Sequence, residues 1–268
     1  MRAHFEHFCI PAISLGCLVL VALAPSRAQC TESPQDPKAL IKSSIEAMGG
    51  KSGFYAKEGV EYVYTYRAPD GKADVSVEKY QFASENSWAS YSKRELMFPE
   101  IEGELVQIYD GSSTRVTLDG KPLDKEAVIQ RSDFIRKTNF YWFAMMFKLL
   151  DPGLIYSYEG TQDVNGVAYD KVKITFEDGV GDVKDIYLVH IHPETKLIDR
   201  FLFTVMDFGL ENPLLMTVEY KEVGGIQLPA IRRYAKAKSW EGEPADDQWT
   251  DEIMTEIQFK SIPASLFE

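Results

Sequence analysis

The chain opens on a helical repeat and then turns to alternation. Leu40, Ile41, Ile45 and Met48 fall at helical spacing and predict one apolar face. Asp36 supplies an N-cap oxygen and Pro37 suits the first helical position, while Gly49-Gly50 offers a left-handed stop. A short helix with one apolar face needs a partner surface. A sheet is the expected partner, because the following residues change period to two. Val60, Tyr62, Tyr64 and Tyr66 alternate with Glu61, Val63, Thr65 and Arg67. Val172, Ile174 and Phe176 alternate with Lys171, Lys173, Thr175 and Glu177. Ile253, Thr255, Ile257 and Phe259 alternate with Met254, Glu256, Gln258 and Lys260. Between such runs stand Asp70-Gly71, Asp110-Gly111, Asp119-Gly120, Asn165-Gly166 and Gly224-Gly225, and His192-Pro193-Glu194-Thr195 reads as a further tight turn. That spacing predicts consecutive antiparallel strands rather than β-α-β units.

Two departures from simple alternation matter. Residues 186–191 (Ile-Tyr-Leu-Val-His-Ile) and 201–206 (Phe-Leu-Phe-Thr-Val-Met) are apolar or aromatic on both sides. A sheet covered on both faces explains this, and so does a sheet curved around helices. Residues 122–150 break the strand pattern altogether. Pro122 and the acids Asp124 and Glu126 mark a helix start, and Phe140-Tyr141-Trp142-Phe143-Ala144-Met145-Met146-Phe147 is an unbroken apolar run. One reading is a buried helix plugging the sheet. The other is a pocket lining or lid, since methionines and large aromatics make an adaptable apolar surface. A helix over the mouth of a curved sheet does both. Phe140, Trp142, Phe143, Met145, Met146 and Phe147, with Tyr64, Tyr66 and Phe203 from the strands, are the expected ligand-binding residues. The acidic stretch Trp240–Asp247 reads as a solvated loop. No repeat or linker divides residues 36–268, so one domain is expected there.

Composition adds the compartment. Residues 1–28 read as a signal peptide, with an apolar run from Ala12 to Ala24 and small residues at Ser26 and Ala28 before the expected cleavage. The run is short for a membrane span. Arg27 and Gln29 break the pattern that lipidation at Cys30 would require. The predicted product is a periplasmic or secreted protein with a disordered leader over 29–35. Cleavage removes two arginines and one glutamate, so a formal net charge of −12 becomes −13. That sign repels phosphate backbones and excludes nucleic acid as a partner. It also removes Cys9, Cys17, His4 and His7, leaving Cys30, His190 and His192. No cofactor is expected.

Chemical motifs are sparse. The sequence holds no Gly-x-Ser-x-Gly elbow, phosphate-binding Gly-x-x-x-x-Gly-Lys or Cys-x-x-Cys. Ser90-Tyr91-Ser92-Lys93 has the Ser-x-x-Lys spacing but lies in a strand, where serine and lysine do not meet as they do on a helix. Glu177-Asp178-Gly179-Val180-Gly181-Asp182 reads as a hairpin tip, not a calcium loop. His190-x-His192 is the one constellation with metal-binding geometry: on a strand both rings share a face. Asp185, Asp199 or Asp207 would complete such a site.

From Asp36 onward the chain resembles an uncharacterised family of secreted bacterial proteins similar in fold to the lipoprotein carriers LolA and LolB. The resemblance rests on the helix Asp36–Met48 ending in Gly49-Gly50, the tyrosine-rich strand to Arg67, and Phe140-Tyr141-Trp142-Phe143. It continues through Val164-Asn165-Gly166-x-x-Tyr169-Asp170, His192-Pro193-Glu194-Thr195 and Gly225-Ile226-Gln227-Leu228-Pro229. It implies an α+β fold: an antiparallel sheet curled into an incomplete β-barrel, with helices on the concave side. It also implies a cavity for a hydrophobic small molecule or lipid acyl chain, and no catalytic residues. Three functions follow as expectations. The first is an exported, non-enzymatic carrier or binding protein for an apolar or lipid-like ligand. The second is a cell-envelope structural or interaction protein, recruiting an envelope protein partner by a sheet edge or by residues 241–247. The third is a metal-assisted hydrolase at His190 and His192.

Overall fold

Asp36 caps the first helix as expected: its Oδ1 accepts the Lys38 N–H at 3.0 Å. The structure, a computed structural model, describes residues 35–179, 185–206 and 209–268. The signal peptide, the leader up to Pro34, Cys30, the end of the 177–182 tip and Asp207 all lie outside the described residues. Helix α1 (Pro37–Ala47) buries Ile41 and Ile45 on its apolar stripe. Gly49 then takes φ +104°, and a Cβ there would stand 2.5 Å from the Gly225 carbonyl oxygen. Only glycine fits that approach. A second short helix, α2 (Lys51–Tyr55), follows and buries Phe54.

Among the described residues the remainder is one antiparallel sheet and one long helix. Strands β1 (Gly59–Arg67), β2 (Ala73–Gln81), β3 (Asn86–Arg94), β4 (Leu105–Tyr109), β5 (Thr114–Leu118) and β6 (Lys121–Pro122) pair in sequence. Helix α3 (Glu126–Lys148) then leads to β7 (Leu154–Val164). From there β8 (Val167–Phe176), β9 (Tyr187–Ile191), β10 (Ile198–Val205), β11 (Leu210–Val223), β12 (Ile226–Lys236) and β13 (Thr250–Phe259) return to pair with β1. The sheet is open, with β6 at one end and β7 at the other. Helix α3 therefore carries the chain between the two ends. Its 23 residues span roughly 35 Å at the usual rise. All five glycine-containing turn dipeptides lie between paired neighbours. Asp119-Gly120 and Asn165-Gly166 show positive φ at both residues, as two-residue hairpins require.

One continuous core identifies the concave face. Ile41 and Phe54 from the first helices, and Phe140, Phe143 and Phe147 from α3, join strand residues from Val172 on β8 round to Tyr80 on β2. A helix can touch strands so far apart in the sheet only if the sheet curls around it. The fold is thus an incomplete antiparallel barrel with helices on the concave side. Phe54 stacks on Phe82 at 4.5 Å and on Phe147 at 4.1 Å, and Phe143 stacks on Tyr62 at 5.4 Å. All the described residues belong to one compact unit.

The two-sided apolar strands are explained by cover on both faces. Phe201 and Phe203 of β10 enter the concave core, while Leu188, Leu202 and Leu215 form a second cluster with Trp240 and Trp249. The acidic residues Glu241, Glu243, Asp246 and Asp247 are exposed, as a solvated loop requires, while Trp240 of the same stretch packs on this cluster. The β12–β13 connection lies over the convex face, where the Glu241 carbonyl accepts Gln162 Nε2 at 2.9 Å and the Gly242 carbonyl accepts Arg200 Nη2 at 2.8 Å. One correction concerns β13. Ile253, Thr255 and Ile257 do not share a face, because Glu256 sits at φ +54° and the β1–β13 register shifts there. The bulge puts Thr250, Glu252, Met254 and Ile257 on the buried side.

Candidate functional site

Helix α3 has two working faces. Phe140, Phe143, Ala144 and Phe147 recur at i, i+3, i+4 and i+7 and are buried in the core. Phe134, Thr138, Tyr141 and Trp142 recur at i, i+4, i+7 and i+8 and line a cavity of about 1350 Å³. The helix so divides the concave space into a filled side and an open side. The aromatic run 140–147 contributes to both, because consecutive helical residues point about 100° apart.

Two buried arginines fix the helix in this position. Arg136, wholly buried on α3, donates Nη1 to Glu78 Oε2 at 2.5 Å and Nη2 to Glu78 Oε1 at 3.1 Å. Ser76 and Tyr80 also donate to that carboxylate, at 2.7 and 3.0 Å. Tyr91, whose phenol burial pushes up to about 12, accepts from Arg136 at 3.3 Å and donates to Gln107 at 3.2 Å. Gln107 in turn donates to Ser132 of α3 at 2.9 Å. On the other side Arg232 of β12 donates Nη1 to the Trp142 carbonyl at 2.5 Å. The fixed fork of an arginine suits both tasks.

The cavity itself has an apolar wall and a polar floor. Trp142 meets Phe203 edge-on at 5.0 Å, and Phe203 stacks with Tyr187 at 6.4 Å. The Tyr141 and Tyr187 hydroxyls lie 3.2 Å apart and close this end, beyond which is a separate pocket of about 70 Å³. The floor is a row across three strands, Asp74, Tyr66 and Glu252, set by the pairing of β2, β1 and β13, with Arg232 of β12 behind Glu252. Asp74 accepts the N–H groups of Glu95 and Leu96 at 2.8 and 2.9 Å. Tyr66 and Tyr234 share a hydroxyl contact of 2.6 Å. Burial raises the phenol pKa of Tyr64, Tyr66 and Tyr234, so all three stay neutral in ordinary buffers. Glu252 Oε2 stands 2.6 Å from Arg232 Nη2 as its counter-charge, yet no donor completes a hydrogen bond to that oxygen. The mouth carries Leu96 from the β3–β4 loop and Phe134 from α3, exposed by 36% and 37%.

Of the residues expected to bind ligand, Tyr64, Tyr66, Trp142 and Phe203 line this cavity. Phe140, Phe143, Met146 and Phe147 face the core, and Met145 borders the smaller pocket. Sequence reasoning missed Tyr187, Tyr234, Glu252 and the supporting Arg232. Tyr187 lies in the run 186–191 that is apolar on both sides, so its face is not legible there. Glu252 and Arg232 carry no signal either, since the bulge at Glu256 conceals the face on which Glu252 lies.

The histidine pair is occupied otherwise. His190 Nε2 lies 3.1 Å from Gln162 Oε1, and burial, then Arg200 and Lys171, pulls its pKa down to about 3. His192 Nδ1 accepts the N–H groups of Glu194 and Thr195 at 3.2 and 3.3 Å, which shapes the turn. Among the described residues no group of three or more His, Cys, Asp and Glu side chains could hold a metal ion, and no helix is long and apolar enough to cross a membrane.

No protein-family model matches the chain, and no curated protein matches its sequence. Solved structures do. A LolA superfamily protein from Nitrosomonas europaea aligns with TM-score 0.49 and 11% identity, over 87% of this chain and 98% of that one. A DUF1329 family protein from Desulfovibrio piger aligns with TM-score 0.44 and 14% identity, again over 87% and 98%. LprF from Mycobacterium bovis aligns with TM-score 0.32 and 12% identity, over 84% and 95%.

Proposed function

We propose that this protein is an exported, non-enzymatic binding or carrier protein for an apolar or lipid-like ligand. The observation that carries the reading is the cavity of about 1350 Å³ between α3 and the concave sheet. It exceeds the roughly 300–1,000 Å³ that encloses a drug-sized molecule. Its wall offers Trp142, Phe203, Met216 and Phe176, and its mouth is apolar at Leu96 and Phe134. An interior of that size filled with water would leave those side chains wet, and an apolar chain that displaced the water would gain about 25 cal/mol for each Å² covered. Binding of this kind needs no bond to be made or broken. Residues 1–28 support export, and residues 29–268 are proposed as the mature chain, with one half-barrel domain from residue 36.

Native mass spectrometry and Nile red uptake by the purified mature protein test the reading. The expected result is an extractable adduct or saturable uptake that Trp142→Ala and Phe203→Ala weaken by about tenfold, since each removes an aromatic wall. A clean apo mass together with no uptake of Nile red would overturn it. The N-terminal residue of the exported product is expected to be Gln29.

A further inference from the structure

The proposed ligand cavity contains a buried carboxylate that its own protein leaves short of donors. Glu252 is 7% exposed and lies on the floor of the cavity. Arg232 neutralises its charge from beneath, at 2.6 Å, while also holding the Trp142 carbonyl. No hydrogen bond from any described residue ends on this carboxylate, and Oε2 is buried without one. Buried carboxylates ordinarily collect donors, as Glu78 does from Ser76, Tyr80 and Arg136. Oε2 is turned to Arg232, and Oε1, on which no hydrogen bond ends, keeps its acceptor capacity for the cavity that Glu252 lines.

The electrostatics of the wall point the same way. Six carboxylate residues border the cavity (Asp74, Glu100, Asp133, Asp185, Asp246, Glu252) against three cations (Arg131, Lys137, Lys236). An anionic headgroup brought inside would face like charge in a medium that screens poorly. A hydroxyl or an ammonium would not, and either can donate to Glu252.

Resting on the carrier reading, we propose that the ligand is an apolar chain whose polar end is a hydrogen-bond donor without negative charge, a hydroxyl or an amine, seated on Glu252. The chain then runs along the aromatic wall toward Trp142 and Phe203. Carboxylates and phosphates of equal chain length are the disfavoured class.

Displacement of Nile red by dodecanol, dodecylamine, laurate and dodecane at pH 8 tests this on the wild-type mature protein. Dodecanol or dodecylamine is expected to act at a concentration about tenfold or more below that of laurate, the scale of one charge-assisted hydrogen bond. In Glu252→Gln, checked for folding by circular dichroism, the ratio is expected to fall to within about twofold. Laurate equal to or better than both donors overturns the proposal, as does an unchanged ratio in the folded variant. If Glu252→Gln does not fold, because it leaves Arg232 uncompensated, the wild-type order alone decides. Should neither dodecane nor Nile red enter, the carrier reading itself fails. Should dodecane enter while laurate matches the donors, only the assignment of the polar end fails. Dodecanol and dodecylamine, compared with each other, separate a neutral ligand from a cationic one.

Discussion

At His190, burial and the nearby Arg200 and Lys171 hold the imidazole neutral, with a pKa pulled down to about 3. The unfolded chain titrates near 6.5. Between those values the unfolded state binds a proton that the folded state refuses, so stability falls as pH drops below about 6.5 and is fully present above it. The Tm of His190→Gln is therefore expected to decline less than that of the wild type between pH 7 and pH 4, and parallel melting curves would show that His190 does not carry this linkage. Gly49 makes a purely steric case. Its φ of +104° and the 2.5 Å approach to the Gly225 carbonyl mean that Gly49→Ala must shift backbone, not a flexible side chain. A loss of about 1–3 kcal/mol is expected, read as a Tm drop of roughly 2–12 °C for a chain of this size. An unaltered Tm would mean that the α1–α2 corner and the β11–β12 turn are not packed this closely in solution.

Helix α3 is the element on which the site depends, and its attachment is ionic as much as apolar. Arg136 and Glu78 are both wholly buried, so removal of one leaves the other without its counter-charge. Arg136→Met is expected to cost about 3–5 kcal/mol, and Arg136→Met with Glu78→Gln distinctly less. A double variant as unstable as the single one, in urea unfolding, would show that the packing of the residues matters and the pairing does not. This anchor also shows what was legible in the sequence. The limits of α1, the strand alternation of β1 and β8, and every glycine turn follow from local preferences that the fold does not override. The split of residues 134–147 into a core face and a cavity face was not legible, because both faces are aromatic and hydrophobicity alone cannot rank Phe143 against Trp142. Nothing local in the sequence says that Arg136 of α3 meets Glu78 of β2, or that Glu252 of β13 lies opposite Arg232 of β12. The 240–247 loop shows the same limit: its charges are legible as solvated, but the packing of Trp240 and Trp249 on Leu202, remote in sequence, is not.

For the molecule as a whole, the open sheet and the single crossing helix set what ligand binding must do to stability. The concave space is full on one side of α3, where Phe54, Phe143 and Phe147 stack, and hollow on the other. A hollow side contributes little dispersion energy, and the strands behind it, β10 to β13, rely on the packed side and on the Trp240–Trp249 cover for their cohesion. An apolar ligand that fills the cavity binds the folded chain alone, because the wall of Trp142, Phe203 and Met216 exists only when α3 and the sheet are in place. The linkage is then quantitative: at a free ligand concentration of 100 Kd the folded state gains about 2.7 kcal/mol. For a chain of this length that corresponds to a rise in Tm of roughly 5–11 °C. Ligand should also slow amide exchange in β10–β13, in the Tyr64–Tyr66 and Asp74–Ser76 ends of β1 and β2 and in the Phe134–Trp142 part of α3, where the cavity is lined, and leave β7, β8 ahead of Phe176 and the packed Phe54 and Phe82 nearly unchanged. Protection spread evenly over the sheet would instead mark a ligand bound on the outer surface, and the cavity would not be its site.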